Sequence, residues 1–412
     1  MSKTPPYPTS AYIHIPFCRR RCFYCDFAIS VVGDRKRGDT SSTISQYIDT
    51  LIQEIQATPL VGNAPLKTIF FGGGTPSLLA VPQLGAILTT IDKRFGIAAS
   101  AEISMEMDPA TFDLSHAQGY RTAGVNRVSL GVQDFHNDVL AASGRFHRRA
   151  DILRAVETLR RAHFDNVSLD LMSGLPHQTL ESWQSSLAQA IDLQPAHVSQ
   201  YDLIVEPQTA FSRYFKPGEA PLPSDAHTAQ MYRMAQRSLS ANGYEHYEIC
   251  NYAKPGRAAQ HNLTYWKNQP CYGFGMGATS YVNYQRLDRP RTQKSYRQWV
   301  EQFIRAQGRR AEPMISPEER VLESIMVGLR LSAGIALSEL YEVYGEKGLR
   351  AMEQAIAPHI HQQWVICEEA NENQAKVTLW PTSRLRLSDP EGFLMSNQVI
   401  VDTFNALEGL DP

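Results

Sequence analysis

The chain has 412 residues, 43% of them hydrophobic, which is enough apolar material for one large core and a second, smaller domain. Forty basic residues against forty-two acidic ones give a formal charge of −2, so no bulk positive field recruits nucleic acid or an anionic membrane. No apolar run approaches the ~20 residues of a membrane span, and the opening MSKTPPYPTS lacks the apolar stretch of a signal peptide, so a cytoplasmic protein is expected.

In chain order, AYIHIPF (11–17), KTIFF (67–71), EISMEM (102–107), RVSLGVQ (127–133), NVSLDLM (166–172) and HVSQYDLIV (197–205) are short apolar, β-branched runs that predict strands. Between them the spacing predicts helices. Ile44, Tyr47, Ile48, Leu51, Ile52 and Ile55 recur at three- and four-residue steps, and similar patterns occupy 82–95, 114–123, 150–162 and 179–193. Such alternation implies parallel strands with right-handed crossovers, and six units make most of a barrel without closing it. The expected fold is α/β, an open partial (β/α)6 barrel over 1–290, followed by a smaller domain over 291–412.

In that second part, three helices (SPEERVLESIMVGLRLS, IALSELYEVYG, LRAMEQAIAPHI) precede short strands in WVICEEA, AKVTLWPT and SRLRLS, and a last helix in GFLMSNQVIVDTFNAL. The order resembles a winged helix, a module that can enter a DNA groove. Without a dense basic stripe, the plainer reading is a packing domain that closes the barrel, and no nucleic acid is expected. AEPMISPEE is the expected linker.

A parallel barrel collects function where strands end and loops begin. After the first strand come Cys18, Cys22 and Cys25, three of the six cysteines, spaced C-x3-C-x2-C; the others, Cys250, Cys271 and Cys367, are scattered, so no disulfide framework is expected. Three thiolates in one loop can hold three irons of a [4Fe–4S] cubane and leave the fourth open to a small molecule. The alternative is zinc with His14 as fourth ligand, although strand alternation sets His14 well back from the loop. FGGGTPS follows the second strand and offers close backbone approach. Glu106 ends the third strand, Gln133 the fourth, and Asp170 lies near the end of the fifth.

YIHIPFC-x3-C-x2-C, GGGTP, SMEMDP, SLGVQ, GRFHRR and SLDLMSGLP together resemble the radical S-adenosylmethionine superfamily, in its coproporphyrinogen-dehydrogenase-like branch, over roughly 11–290. Within the branch the chain is more similar to the haem-chaperone family HemW. Asp26-Phe27 follows the third cysteine where the dehydrogenase has C-x-C, residues 261–266 read HNLTYW against HNxxYW, and the first strand begins too early for the dehydrogenase's N-terminal extension.

The resemblance implies that Cys18, Cys22 and Cys25 hold a [4Fe–4S] cluster with S-adenosyl-L-methionine on the open iron. Tyr12 and Tyr24 would flank that cofactor, the ring at Tyr24 standing where relatives often have phenylalanine. Gly73, Gly74 and Thr75 would meet it through the glycine loop. Glu106 and Gln133 would bind its ribose or methionine portion, and Arg145 and Asp170 a second cofactor position; alternatively the charged residues form a buried structural network.

Reductive cleavage of the cofactor to methionine and a 5′-deoxyadenosyl radical is the implied chemistry, supplied with electrons by a donor. As a haem chaperone, the chain would bind haem and deliver it to acceptor haem proteins of the respiratory chain, with turnover left open and a homodimer compatible. The alternative is a coproporphyrinogen-oxidising or other radical enzyme. His261 is the expected haem ligand, with Cys250, Cys271, His147 and His246 as competitors; the plainer reading has His261 and Asn262 satisfying backbone groups while Tyr265 and Trp266 pack.

Overall fold

The computed structural model describes residues 6–34, 36–368 and 378–410. They form two compact units: the first runs to Tyr244 and adds Ala253–His261 and Pro270–Met314, and the second comprises Glu245–Tyr252, Asn262–Gln269 and the chain from Ile315 onward. The division therefore interleaves before it settles inside AEPMISPEE.

In the first unit the predicted strands form at Ser10–Ile15, Leu66–Gly73, Ile97–Met107, Arg127–Gln133, Val167–Ser173 and His197–Asp202. Each pairs in parallel with the next. Helices Ser42–Ala57, Val81–Phe95, Leu114–Thr122, Arg149–Arg161 and Leu180–Asp192 alternate with them, and Asp225–Ala241 follows the sixth strand. Another strand, Tyr272–Phe274, pairs in parallel with the free edge of the first. Only three residues long and glycine-rich, it carries no strand signal in the sequence. The strand order is linear, so the barrel stays open.

The first helix begins where the Ser41 hydroxyl accepts from the Ile44 amide, and buries Ile44, Tyr47, Ile48, Leu51 and Ile55. Ile52, expected on that face, is only half-buried; Glu54 is fully buried instead. The Arg289 guanidinium neutralises it at 2.7 Å, and the Gly275 amide donates to it at 2.9 Å. This pairing makes a buried charge tolerable.

The second unit carries helices Pro317–Gly328 and Ser338–His361, the latter merging two predicted helices across Gly345, which sits at φ +60°. Its antiparallel sheet has Arg384–Leu387 between Ile335–Ala336 and Val365–Glu368. The predicted strand AKVTLWPT begins at 375–377, outside the described residues, as do the last two residues of WVICEEA; 378–382 are not strand. The wing arginine Arg386 is ion-paired with Glu368 at 2.8 Å. The predicted final helix is two, Glu391–Leu394 and Ser396–Leu407. No helix among the described residues is long and apolar enough to cross a membrane.

Candidate cluster and cofactor site

The cysteine loop is closed at its base. Phe17–Cys18 pairs in parallel with Ser30–Val31, and His14, the last polar residue of the first strand, reaches across to the Ala28 carbonyl with Nε2 at 2.8 Å. Its Nδ1 lies 3.0 Å from the Tyr12 hydroxyl. Both ring nitrogens are thus engaged, which removes His14 as a fourth ligand for zinc. Inside the loop the Cys25 amide donates to the Cys22 carbonyl at 3.2 Å. Cys18, Cys22, Tyr24 and Cys25 line a cavity of about 500 Å³ at the carboxyl ends of the strands, the end where parallel barrels place their sites.

The glycine run lies against this loop. Gly73 takes φ +110°, and a Cβ there would fall 2.4 Å from the His14 imidazole; one on Gly74 would fall 2.7 Å from the Phe17 carbonyl oxygen. Only glycine permits both that φ and that approach. The Gly74 and Thr75 amides donate to the Ile15 and Phe17 carbonyls at 2.8 and 2.7 Å, and the Gly73 amide donates to Glu106 Oε2 at 3.0 Å. The loop's amides therefore brace the first strand and the third-strand carboxylate. The Thr75 hydroxyl points at Cys18 Sγ, 3.5 Å away.

Gly73, Gly74, Thr75, Glu106, Gln133, Arg145 and Asp170 all line the same cavity as the cysteines. Burial, with Asp170 adding to it, pushes the Glu106 carboxyl up to about 7, against the Gly73 amide. Burial likewise raises Asp170, although Ser129 Oγ donates to both of its oxygens at 2.8 and 3.0 Å. Gln133 sits on an irregularity in the pairing after Gly131, at φ +69°; such a distortion re-aims a side chain at a barrel rim.

Arg145 is paired through one nitrogen, while its buried Nε has no hydrogen-bond partner among the described residues. Its Nη2 donates to Asp108 Oδ2 at 2.6 Å and to the Gly131 carbonyl at 2.8 Å, while Nη1 stands 3.5 Å from Cys22 Sγ. Burial alone would push the Asp108 carboxyl up, but the Arg145 guanidinium and then His147 bring it down to about 2. Asp108 is the site residue that sequence reasoning missed. Its signal was the second acid of SMEMDP, two positions past Glu106.

These residues fit an iron–sulfur cluster. Three thiols share one cavity, and a hydroxyl and a guanidinium donor stand by two of the sulfurs, where they would donate to cluster thiolates. Burial pushes the Cys18 thiol up to about 12 and raises that of Cys25, so loading iron must release protons. Bound there, the cluster and its nucleoside cofactor supply one-electron chemistry; the chain holds, orients and shields them.

Tyr12 and His261 differ in where they stand. Tyr12 lies against the glycine run, near enough to Glu106 to feel its charge, with its ring 6.2 Å from that of Phe70. His261 opens the helix Gln260–Trp266, where the sequence suggested a loop, and is 1% exposed. Its Nδ1 lies 2.8 Å from Thr68 Oγ1, its ring stacks on Phe70 at 5.2 Å, and burial pushes its imidazole down to about 3. Thr68 precedes Gly73 by five positions, roughly 17 Å along the strand, so His261 belongs to the opposite end of the barrel. Of its competitors, His147 is buried behind Asp108, Cys271 is buried beside the Tyr272 carbonyl, and His246 and Cys250 belong to the second unit.

Residues 12–190 match the Radical SAM superfamily, and residues 315–371 match the HemN C-terminal domain. That superfamily implies a [4Fe–4S] cluster and S-adenosylmethionine. The solved structure of coproporphyrinogen III oxidase HemN from Escherichia coli superposes with a TM-score of 0.80 over 98% of this chain and 91% of that one, at 24% identity, and so attests the fold. The heme chaperone HemW of Synechocystis sp. is 44% identical over 404 residues, 97% of each chain. That of Bacillus subtilis is 37% identical over 82% of this chain and 87% of its own. With a radical SAM barrel carrying its three-cysteine loop and full-length similarity of this order, the chain belongs to the HemW heme chaperone family.

Proposed function

We propose that this chain binds haem and delivers it to acceptor haem proteins, the cluster and S-adenosylmethionine occupying the cavity at the barrel mouth. The 44% identity to a heme chaperone over nearly the whole of both chains supports this reading most. It works in the reducing cytoplasm, where free thiols persist, takes electrons from a donor protein, and pairs with a respiratory-chain acceptor. Cys18, Cys22 and Cys25 hold the cluster. Glu106, Gln133 and Asp170 face the cofactor from the opposite wall, and the Arg145–Asp108 pair steadies the cysteine loop.

The test uses anaerobically reconstituted full-length protein. Haem is titrated in and followed by its Soret band, transfer is followed to an apo haem protein, and coproporphyrinogen is offered separately. Stoichiometric haem binding, transfer, and no oxidation of coproporphyrinogen are expected. Oxidation of coproporphyrinogen without haem retention would overturn the proposal in favour of a radical dehydrogenase.

A further inference from the structure

The rim of the cavity is apolar and open. Phe27 is 58% exposed, Ile204 69% and Tyr201 39%, and all three line the cavity mouth. Large apolar side chains grouped at one opening mark a binding surface. The inner wall is already committed to the cysteines and to Glu106, Asp170 and Asp108, so the rim is the part of the opening left for a second, flat ligand.

Behind the same loop runs a second groove, lined by Arg21 and Arg291, which shares Cys25, Asp26, Phe27 and Ile29 with the cavity. Arg21 donates to the Cys25, Phe27 and Ile29 carbonyls at 3.1, 3.4 and 3.4 Å, and Arg291 to the Asp26 carbonyl at 2.8 Å. Among the described residues neither guanidinium is ion-paired with a carboxylate. The groove thus holds two cations against one acid, Asp26, and arginine forks suit carboxylates. Phe27 is the wall between an apolar opening and a cationic groove.

Haem has that pattern: a flat apolar macrocycle with two carboxylates on one edge. Resting on the haem-chaperone reading, we propose that haem lies across Phe27 at the barrel mouth, its macrocycle against Ile204 and Tyr201 and its propionates toward Arg21 and Arg291. No histidine lines either opening among the described residues. The haem is held by its faces and carboxylates, without a histidine on iron, which leaves the iron open to an acceptor's ligand.

The test compares haem affinity and spectra in cluster-loaded wild type, Ile204→Asp, Phe27→Asp, Arg291→Gln and His261→Ala, with iron content counted in each. Ile204 and Arg291 lie outside the C-x3-C-x2-C segment, so they report on haem even if a loop variant loses its cluster. Expected are at least tenfold weaker binding for Ile204→Asp and Phe27→Asp, and about tenfold for Arg291→Gln, one charge-assisted contact's worth. With haem dimethyl ester, Arg291→Gln should match wild type. Unchanged affinity in Ile204→Asp and Arg291→Gln, with wild type still binding haem, overturns this site but leaves the chaperone reading standing; so does loss of a histidine-ligated spectrum in His261→Ala. A wild-type protein that binds no haem overturns both.

Discussion

Glu102 and Glu106 stand four positions apart on the same strand, at opposite ends of one barrel, and they do different work. At the floor, Glu102 accepts from the backbone amides of Gln260 and His261 at 3.1 Å each, closing off the start of a helix with its charge. Around it Asn126 bonds the Ile103 amide and the Ala101 carbonyl, and His261 bonds Thr68. The floor is self-sufficient. At the mouth, Glu106 accepts one amide and otherwise faces a cavity, where burial and then the neighbouring acid Asp170 raise its affinity for protons. Polar groups completed by protein build the scaffold, whereas those left facing a cavity await a ligand.

Four substitutions test this contrast, beginning with the mouth, where the effect should be greatest. Cys22→Ala should abolish the cluster, because no other described thiol lines the cavity to replace it. Iron and sulfide are counted after anaerobic reconstitution, and full retention would remove the cluster assignment. Arg145→Met leaves the Asp108 carboxylate buried without its cation, their side chains being only 12% and 11% exposed. About 3–5 kcal/mol of stability should be lost, as when any buried pair is halved, read by denaturant unfolding of the apo protein.

At the floor, His261→Ala should cost about 2–3 kcal/mol through the cavity it leaves and the lost Thr68 contact. The cluster spectrum should not change. A change there, with stability intact, would mean the two ends are not separate in function.

The smallest effect is a pH dependence. Because the Glu106 carboxyl sits at about 7 when folded against an ordinary 4.5, the native chain keeps its proton longer than the unfolded one. Its contribution to stability is therefore full below about pH 4.5, declines as pH rises to about 7, and stays low beyond. Glu106→Gln should flatten that decline by about 1 kcal/mol, a figure reduced because the cavity admits solvent. Denaturation of apo protein at pH 5 and pH 8 measures it, and an unchanged slope would place the titration elsewhere.

Much of the architecture was legible beforehand for a simple reason. Strands buried on both faces read as apolar runs, and helices covering them read as stripes, so periodicity alone located the six strands and the five helices between them, while the helix Asp225–Ala241 after the sixth strand went unread. Glu54 escaped that reading, because its neutralising partner Arg289 lies far along the chain and only the fold brings them together. Arg145 was legible, through the family resemblance, as a cation near the site but not as the partner of Asp108, which is thirty-seven positions away.

The sequence by itself determined the chemistry the chain can hold. Three cysteines at short fixed spacing, a glycine run and strand-end acids are local patterns, and local patterns follow from covalent connectivity and strand period. Only the tertiary structure decided which of these groups meet. His14 is spent on closing the cysteine loop, the glycine amides brace the first strand, and His261 is buried at the floor while Phe27 lies open at the mouth. Those outcomes depend on contacts between residues distant in the chain, where burial and hydrogen-bond satisfaction, rather than residue type, assign each side chain its role.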